Sequence, residues 1–325
     1  MRTLLLLGLL SVSASAQHKE FDFKLGDYSR RYLVYAPPGI GEKSPVPVVL
    51  LLHGGGGDAN SLIRSSGMDA IAAREGFITV YPEGIGKKVG RKRFSVWNGG
   101  RCCGKAKDEN IDDVGYLAEV IRRVKKDYRV DPNKVFMTGH SNGAIMSYRF
   151  ACDRPKLISA IAPVGSVGDP RTCLPKKKLS VLHIHGKLDA CARFEGGKDC
   201  GGCFETFFRG LGLKRYKQKR HACESAPNHT ARWQKNLGCK KKPTRIQTRG
   251  PALCTFHEDC ENGGTLGYCF IEGMGHAWPG ATAEEAPSCR RRPNGRVCRE
   301  WVKTVGPYVD GFSASETIWE FFSAQ

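Results

Sequence analysis

Gly139-His140-Ser141-Asn142-Gly143 sets a serine between two glycines. A serine on a sharp strand-to-helix turn carries its hydroxyl above the sheet, and flanking glycines are needed where a larger side chain would strike the neighbouring strand and helix. The context fits, because Val135-Phe136-Met137 reads as a strand and Ala144 to Phe150 as a helix. A hydroxyl is a weak nucleophile until a base takes its proton, and that base must be oriented by a carboxylate. Asp189, at the end of His185-Gly186-Lys187-Leu188-Asp189, lies just past a strand end, where sheet enzymes keep their ligands. His276 follows in the glycine-rich Gly273-Met274-Gly275-His276 loop after the next strong strand. The chain order Ser141, Asp189, His276 therefore suits a nucleophile, an acid and a base. His183 and His185 compete with His276 but sit on the strand itself, and Asp199 rivals Asp189 from between Lys198 and Cys200.

Acyl transfer also builds negative charge on a carbonyl oxygen, which needs amide donors aimed at it. His53 with Gly54 to Gly57 follows a buried-type strand, so the Gly55 amide is one candidate donor. The amide of Asn142, the residue after the serine, is the second. His53 itself reads as a loop-fixing histidine. Trp97 and Trp278 stand in glycine-rich loops and are candidate walls of the substrate cleft.

The elements that must carry these groups alternate in type. Arg31 to Tyr35 reads as a strand ended by Pro37-Pro38, and Val48 to Leu52 as a strand buried on both faces. Ile63 to Arg74 has helical spacing, and Phe77 to Tyr81 returns to strand. Asp112-Asp113 can cap a helix with Val114, Leu117, Val120, Ile121 and Val124 on one face. Asp131-Pro132-Asn133 reads as a turn before the strand Lys134 to Thr138. A helix then runs from Gly139 to about Cys152, Leu179 to His185 and Leu266 to Ile271 are further strands, and Ser313 can cap a last helix. This succession predicts one α/β domain over residues 17–325, with a mostly parallel central sheet, helices on both faces and a Cys-rich basic insertion at about 196–264.

Hydrophobic residues make up 40% of the 325, which excludes a disordered chain, and no apolar run is long enough to cross a membrane. Arg2, the apolar Leu4 to Leu10 and Ala14-Ser15-Ala16 form the three parts of a secretory signal over residues 1–16, with maturation expected at Gln17. Export makes disulfides the default for the fourteen Cys. Cys102 and Cys103, being adjacent, are expected to bond to different partners, with Cys152 as one candidate. Cys239 with Cys254, Cys260 with Cys269 and Cys289 with Cys298 would each close a short loop. Cys200-Gly201-Gly202-Cys203 could be half of a zinc site, with His221 and Cys223 nearby, though disulfides are the favoured reading. Asn228-His229-Thr230 is a glycosylation sequon, or else Asn228 caps a helix.

The formal charge is +19, and it is blocked: residues 87–107 carry eight Lys/Arg and no acid, 214–249 twelve against one, and 290–303 six against one. These blocks would either be solvated loops or one basic surface beside the cleft, which would attract anionic polymers including acidic polysaccharide, membrane surfaces or, nonspecifically, nucleic acid. No motif for specific nucleic-acid recognition is present.

The set Leu52 to Gly57, Trp97 to Gly104, Asp112 to Gly115, Gly139 to Ala144, Tyr148 to Cys152, His183 to Gly186, Gly275 to Gly280 and Thr317 to Phe322 resembles secreted polyhydroxybutyrate depolymerase-like and feruloyl esterase-like hydrolases. The resemblance covers most of the chain from about Arg31. It implies the α/β-hydrolase fold, a Ser141/Asp189/His276 triad and hydrolysis of carboxylic esters on polymeric substrates, with no metal and no organic cofactor. The chain departs from that pattern after Asp189, where Ala190-Cys191-Ala192-Arg193-Phe194 replaces a Pro-containing segment, and Cys191, Cys200, Cys203 and Cys223 look like additions. A peptidase on the same scaffold and an inactive polyanion-binding module are the alternative functions.

Overall fold

The apolar runs read from the sequence become the interior of a ten-stranded sheet. In the computed structural model, which describes residues 18–89, 92–168, 178–286 and 288–325, Val46–Leu52 and Ser180–Gly186 are buried almost throughout. The expected signal over residues 1–16 and the cleavage point lie outside the described residues. Across the sheet the strands run Lys19–Leu25, Tyr28–Tyr35, Ile78–Pro82, Val46–Leu52, Val130–His140, Ala160–Val164, Ser180–Gly186, Leu266–Ile271, Ala252–His257 and Arg245–Arg249. The six from Ile78–Pro82 to Leu266–Ile271 are parallel, and two antiparallel strands extend each edge. Parallel strands need crossovers and bury both faces, which is why they read as continuous apolar runs.

Alternate residues of one strand feed two cores. Val49 and Leu51 face the layer that holds Phe77, Phe136, Ile318 and Phe322, while Val48, Leu50 and Leu52 face Val114, Leu117, Val120 and Ile121. The helix Asp113–Asp127 starts where Asp112 accepts from the Gly115 amide at 2.8 Å, and it buries the apolar face read from the sequence. The last helix, Ala314–Ser323, is capped by Ser313; its Trp319 stacks on Phe77 with centroids 3.9 Å apart and its Phe322 stacks on Phe136 at 4.6 Å. Stacked pairs of this kind are worth ~1 kcal/mol beyond the area they bury.

Three local readings change. The helix expected over Ile63 to Arg74 is two, Ala59–Ser66 and Met68–Glu75, because Gly67 at φ 57° takes the left-handed conformation that ends the first. Asp131-Pro132-Asn133 lies inside the strand Val130–His140 as an irregularity: the pairing jumps from Val46 opposite Val130 to Val48 opposite Val135. The turn chemistry is still present, since the Asn133 amide donates to Asp131 at 2.9 Å. The insertion is also not wholly apart. Its hairpin Gly197–Cys200 with His221–Cys223 and its helices Cys203–Gly210 and Ala226–Asn236 stand outside the sheet, but Arg245–Arg249 and Ala252–His257 complete the sheet edge.

Cysteine pairing follows strand register. Cys254 and Cys269 face each other across adjacent antiparallel strands and are bonded, as are Cys239 and Cys260 at an isolated bridge. Both findings overturn the expected Cys239–Cys254 and Cys260–Cys269 pairs. Cys289–Cys298 is bonded as expected. Cys102 and Cys103 are bonded to each other across a cis peptide, not to separate partners. Cys191–Cys203 and Cys200–Cys223 take up the sulfurs considered for zinc, which removes them as thiolate ligands. Among the described residues no cysteine is free.

Candidate active site

Ser141 stands at the C-terminal end of the central strand with φ 55°, a conformation that L residues rarely adopt and that lifts its side chain clear of the sheet. The glycines around it are steric necessities. A Cβ on Gly139 would lie 2.6 Å from the Gly143 carbonyl carbon, and one on Gly143 would lie 2.6 Å from that of Leu52. The helix Asn142–Asp153 begins at once, so its N-terminal amides face the serine.

Three loops at the same end of the sheet converge here. His276 Nε2 is 2.8 Å from Ser141 Oγ, and His276 Nδ1 is 2.7 Å from Asp189 Oδ2. A carboxylate only accepts, so Nδ1 carries the proton and Nε2 is left to receive that of the serine. The other carboxylate oxygen accepts from the Cys191 and Ala192 amides at 2.8 and 2.7 Å. Burial favours the neutral acid, but the adjacent His276 and the hydrogen bonds from His185 and His276 outweigh it and hold Asp189 below the usual carboxylate range. The His276 loop is pinned from outside: its own amide donates to Val305 O at 2.5 Å and the Gly275 amide to Pro307 O at 2.8 Å. Asp199 is exposed on the insertion hairpin and makes no bond to Ser141 or His276.

His183 and His185 are buried behind Asp189 and hydrogen-bonded in series. The Tyr148 hydroxyl is 2.8 Å from His183 Nδ1, and His183 Nε2 is 3.1 Å from His185 Nδ1. His185 Nε2 lies 2.8 Å from Ala192 O and 3.3 Å from Asp189 Oδ2. The acceptors at the far end require His185 Nε2 to donate, which suits a chain of bonds donating from Tyr148 towards Asp189. His53 is likewise structural. It receives the Gly84 amide at Nε2, 3.0 Å, and gives Nδ1–H to Gly54 O, 2.8 Å, while burial pushes its pKa down to about 4.

The Gly54–Gly57 loop is folded onto the nucleophile. Gly56 donates to Ser95 O and Gly57 to Gly54 O, whereas the Gly55 amide meets no backbone acceptor among the described residues. A Cβ on Gly55 would lie 3.5 Å from the Asn142 Cβ, so the two candidate oxyanion donors, the amides of Gly55 and Asn142, are neighbours. The Asn142 side chain is clamped at both ends, accepting from the Trp97 amide at 2.7 Å and donating to Trp97 O at 3.1 Å. Trp97 is therefore a buttress and not the cleft wall expected: its indole is fully buried and donates to His53 O. Trp278 is also buried, bonded to Ser315 Oγ at 3.0 Å. Their large apolar rings do more for stability in the core than at an open cleft.

Sequence reasoning missed three supports. Arg30 and Asp113 form a buried ion pair at 2.6 Å, and Asp113 also accepts the Asn98 amide, which fixes the loop that clamps Asn142. Phe204, on the insertion helix, reaches the oxyanion loop: its ring tip would be 2.9 Å from a Cβ on Gly56. Cys203, beside it, is bonded to Cys191 two residues past Asp189. Only the cysteines of this set carry a sequence signal. Asn228 is exposed but does not cap its helix, because Ser225 does so by accepting from the Asn228 amide.

Residues 30–171 match the family model described as Esterase PHB depolymerase. The chain is also 26% identical over 254 residues to feruloyl esterase B of Piromyces equi, covering 76% of this chain and 42% of that one. With the putative esterase NocK of Nocardia uniformis subsp. tsuyamanensis it shares 25% over 288 residues, 80% of this chain and 74% of the other. The chain is thus similar to polyhydroxybutyrate depolymerase-like and feruloyl esterase-like hydrolases. A third member of this similarity set is the bifunctional acetylxylan esterase/xylanase XynS20E of Neocallimastix patriciarum, 24% identical over 75% of this chain and 30% of its own length. The chain thus spans less than half of two of the curated relatives it matches. The acetyl xylan esterase from Aspergillus awamori superposes with a TM-score of 0.56 at 16% identity, over 80% of this chain and 94% of that structure, which shows the α/β-hydrolase fold. In this chain a disulfide, Cys191–Cys203, ties the insertion to the Asp189 loop.

The buried rings make acid stability a test of the site's scaffold. His53, His183 and His229 are enclosed, and burial holds each below its ordinary value. Unfolded, these rings take up protons near pH 6.5; folded, they do so only at lower pH, so the unfolded chain binds more protons in between and stability rises with pH. The contribution is complete above about pH 6.5 and is lost at ~1.4 kcal/mol per pH unit for each ring below it. Urea unfolding at pH 5 should therefore show a lower midpoint than at pH 7.5. Equal midpoints would mean that the rings are not held neutral.

Proposed function

We propose that the protein is a secreted serine hydrolase of carboxylic esters, working through an acyl-enzyme on esters carried by polymers. The observation that carries this reading is the single imidazole of His276 bridging Ser141 and Asp189 at hydrogen-bond distance on both sides. Ser141 Oγ adds to the ester carbonyl as its proton passes to His276 Nε2, and Asp189 stabilises the imidazolium. The amides of Gly55 and Asn142 receive the developing oxyanion. Collapse expels the alcohol, which takes the proton from His276 and leaves the acyl group on Ser141. Water, activated by the same base, then releases the acid and restores the serine.

Relatives named as feruloyl and acetylxylan esterases support acylated polysaccharide as a substrate, and the family description supports a polyhydroxyalkanoate-type polyester. The disulfides suit export. A panel of p-nitrophenyl esters, methyl ferulate, acetylated xylan and polyhydroxybutyrate film, run beside an anilide of one of the same acyl groups, tests the reading. Ester turnover with little anilide cleavage is expected; comparable cleavage of the amide would point to a peptidase.

A further inference from the structure

Parts of the three basic blocks, far apart in sequence, are joined in space beside the Ser141 site: 101–107 of the first, 214–220 of the second and 290–303 of the third. Lys219 of the second block is 3.6 Å from Asp108, at the end of the helix that carries Lys105 and Lys107 of the first. His221, two residues further on, has its pKa pushed down by burial and by the nearby charges of Arg101 and Lys107. The third block is attached through the paired helices Cys203–Gly210 and Arg296–Val305, where Arg296 donates to Gly210 O at 3.3 Å and Phe207 meets Trp301 edge-on at 5.4 Å. Arg290 lies near Arg64, on the helix that follows the oxyanion loop, and its charge adds to the burial that lowers the Arg64 pKa.

The same elements touch each catalytic loop. Phe204 rests on Gly56, Cys203 is bonded to Cys191 of the Asp189 loop, and Val305 holds the His276 amide. Two of the acids within this surface are already engaged: Glu205 pairs with Arg209 and Lys217, and Asp108 with Lys219. Lys214, Arg215, Arg220, Arg290, Arg291 and Arg292 are exposed, and none forms an ion pair among the described residues. Cations gathered without counter-charges raise the potential over the surface and draw in a polyanion.

We propose that this joined surface docks an acidic polysaccharide, a uronate polymer bearing acyl esters, and holds it across the mouth of the Ser141 site. The choice of polymer rests on the ester-hydrolase reading: a nucleic acid or an anionic membrane would meet the same cations, but nucleic acid has no carboxylic ester to present. The attraction is long-range and multivalent, so it weakens steeply with salt.

The test separates binding from turnover by measuring retention of the Ser141→Ala protein on immobilised polygalacturonate. One variant replaces Lys214, Arg215 and Arg220 with Gln, a second replaces Arg290, Arg291 and Arg292, and a control replaces Lys126, Lys134 and Lys156. The control lysines are exposed and remote from the site: Lys134 precedes the strand end that bears Ser141 by one strand length, and Lys156 lies beyond the far end of the helix that starts there. Each patch variant should bind about three- to tenfold more weakly at low salt, and the control should bind like the parent. Equal weakening in the control, or no weakening in either patch variant, would overturn the proposal. So would tighter retention of the parent on duplex DNA or phosphatidylserine vesicles than on polygalacturonate at the same salt. Inactivity towards every ester with patch-dependent binding intact would instead count against the ester reading alone.

Discussion

Ser141→Ala should lower ester hydrolysis by roughly 10⁴-fold or more, with kcat and not KM carrying the loss. The substitution removes the atom that His276 Nε2 faces at 2.8 Å and leaves the oxyanion loop and the cleft as they were. The side chain supports no packing, since it projects from a turn held by the backbone bond from its own amide to Val164 O at 2.9 Å. The variant should therefore unfold at the parent's denaturant midpoint. Alanine meets the same unfavourable φ as serine, so backbone strain is not the variable. Turnover within tenfold of the parent in a folded Ser141→Ala protein would remove this serine from the chemistry.

Asp189→Asn should cost a comparable amount, about 10⁴-fold in kcat, by a different route. Oδ1 accepts two backbone amides, from Cys191 and Ala192. An asparagine keeps those bonds only if its carbonyl oxygen takes that position, which turns its NH₂ towards His276 Nδ1. Nδ1 must then become the acceptor and Nε2 the protonated nitrogen, so the imidazole faces Ser141 in the wrong tautomer. The loss should be seen as a kcat effect with binding of substrate retained. A fall of less than tenfold would show that Asp189 does not set the tautomer of His276.

The sequence is legible where one local requirement dominates. Ser141 was visible because the elbow needs glycines at fixed offsets, and Val46–Leu52 because a strand buried on both faces must be apolar throughout. The structure brings together Asp189 and His276 on one bridging imidazole, two residues that chain order, strand-end position and resemblance had paired. Trp97 was misplaced because an indole in a glycine-rich loop looks like a cleft wall, and only the fold shows Asn142 clamped to its backbone. Disulfides failed for a related reason. Loop length suggested Cys239 with Cys254, whereas the register that sets Cys254 opposite Cys269 depends on the strand Ala252–His257, which the sequence reading did not contain. Phe204 on Gly56 and Arg30 with Asp113 are contacts between distant segments, and no periodicity records them.

The central claim, that Ser141 is the nucleophile made reactive by His276, is tested most directly by a serine-directed fluorophosphonate followed by peptide mass spectrometry. One adduct per chain, on the peptide containing Ser141 and strongly slowed in a His276→Ala protein, is the expected result. An unmodified Ser141 in folded protein, or an adduct on another serine, would contradict it.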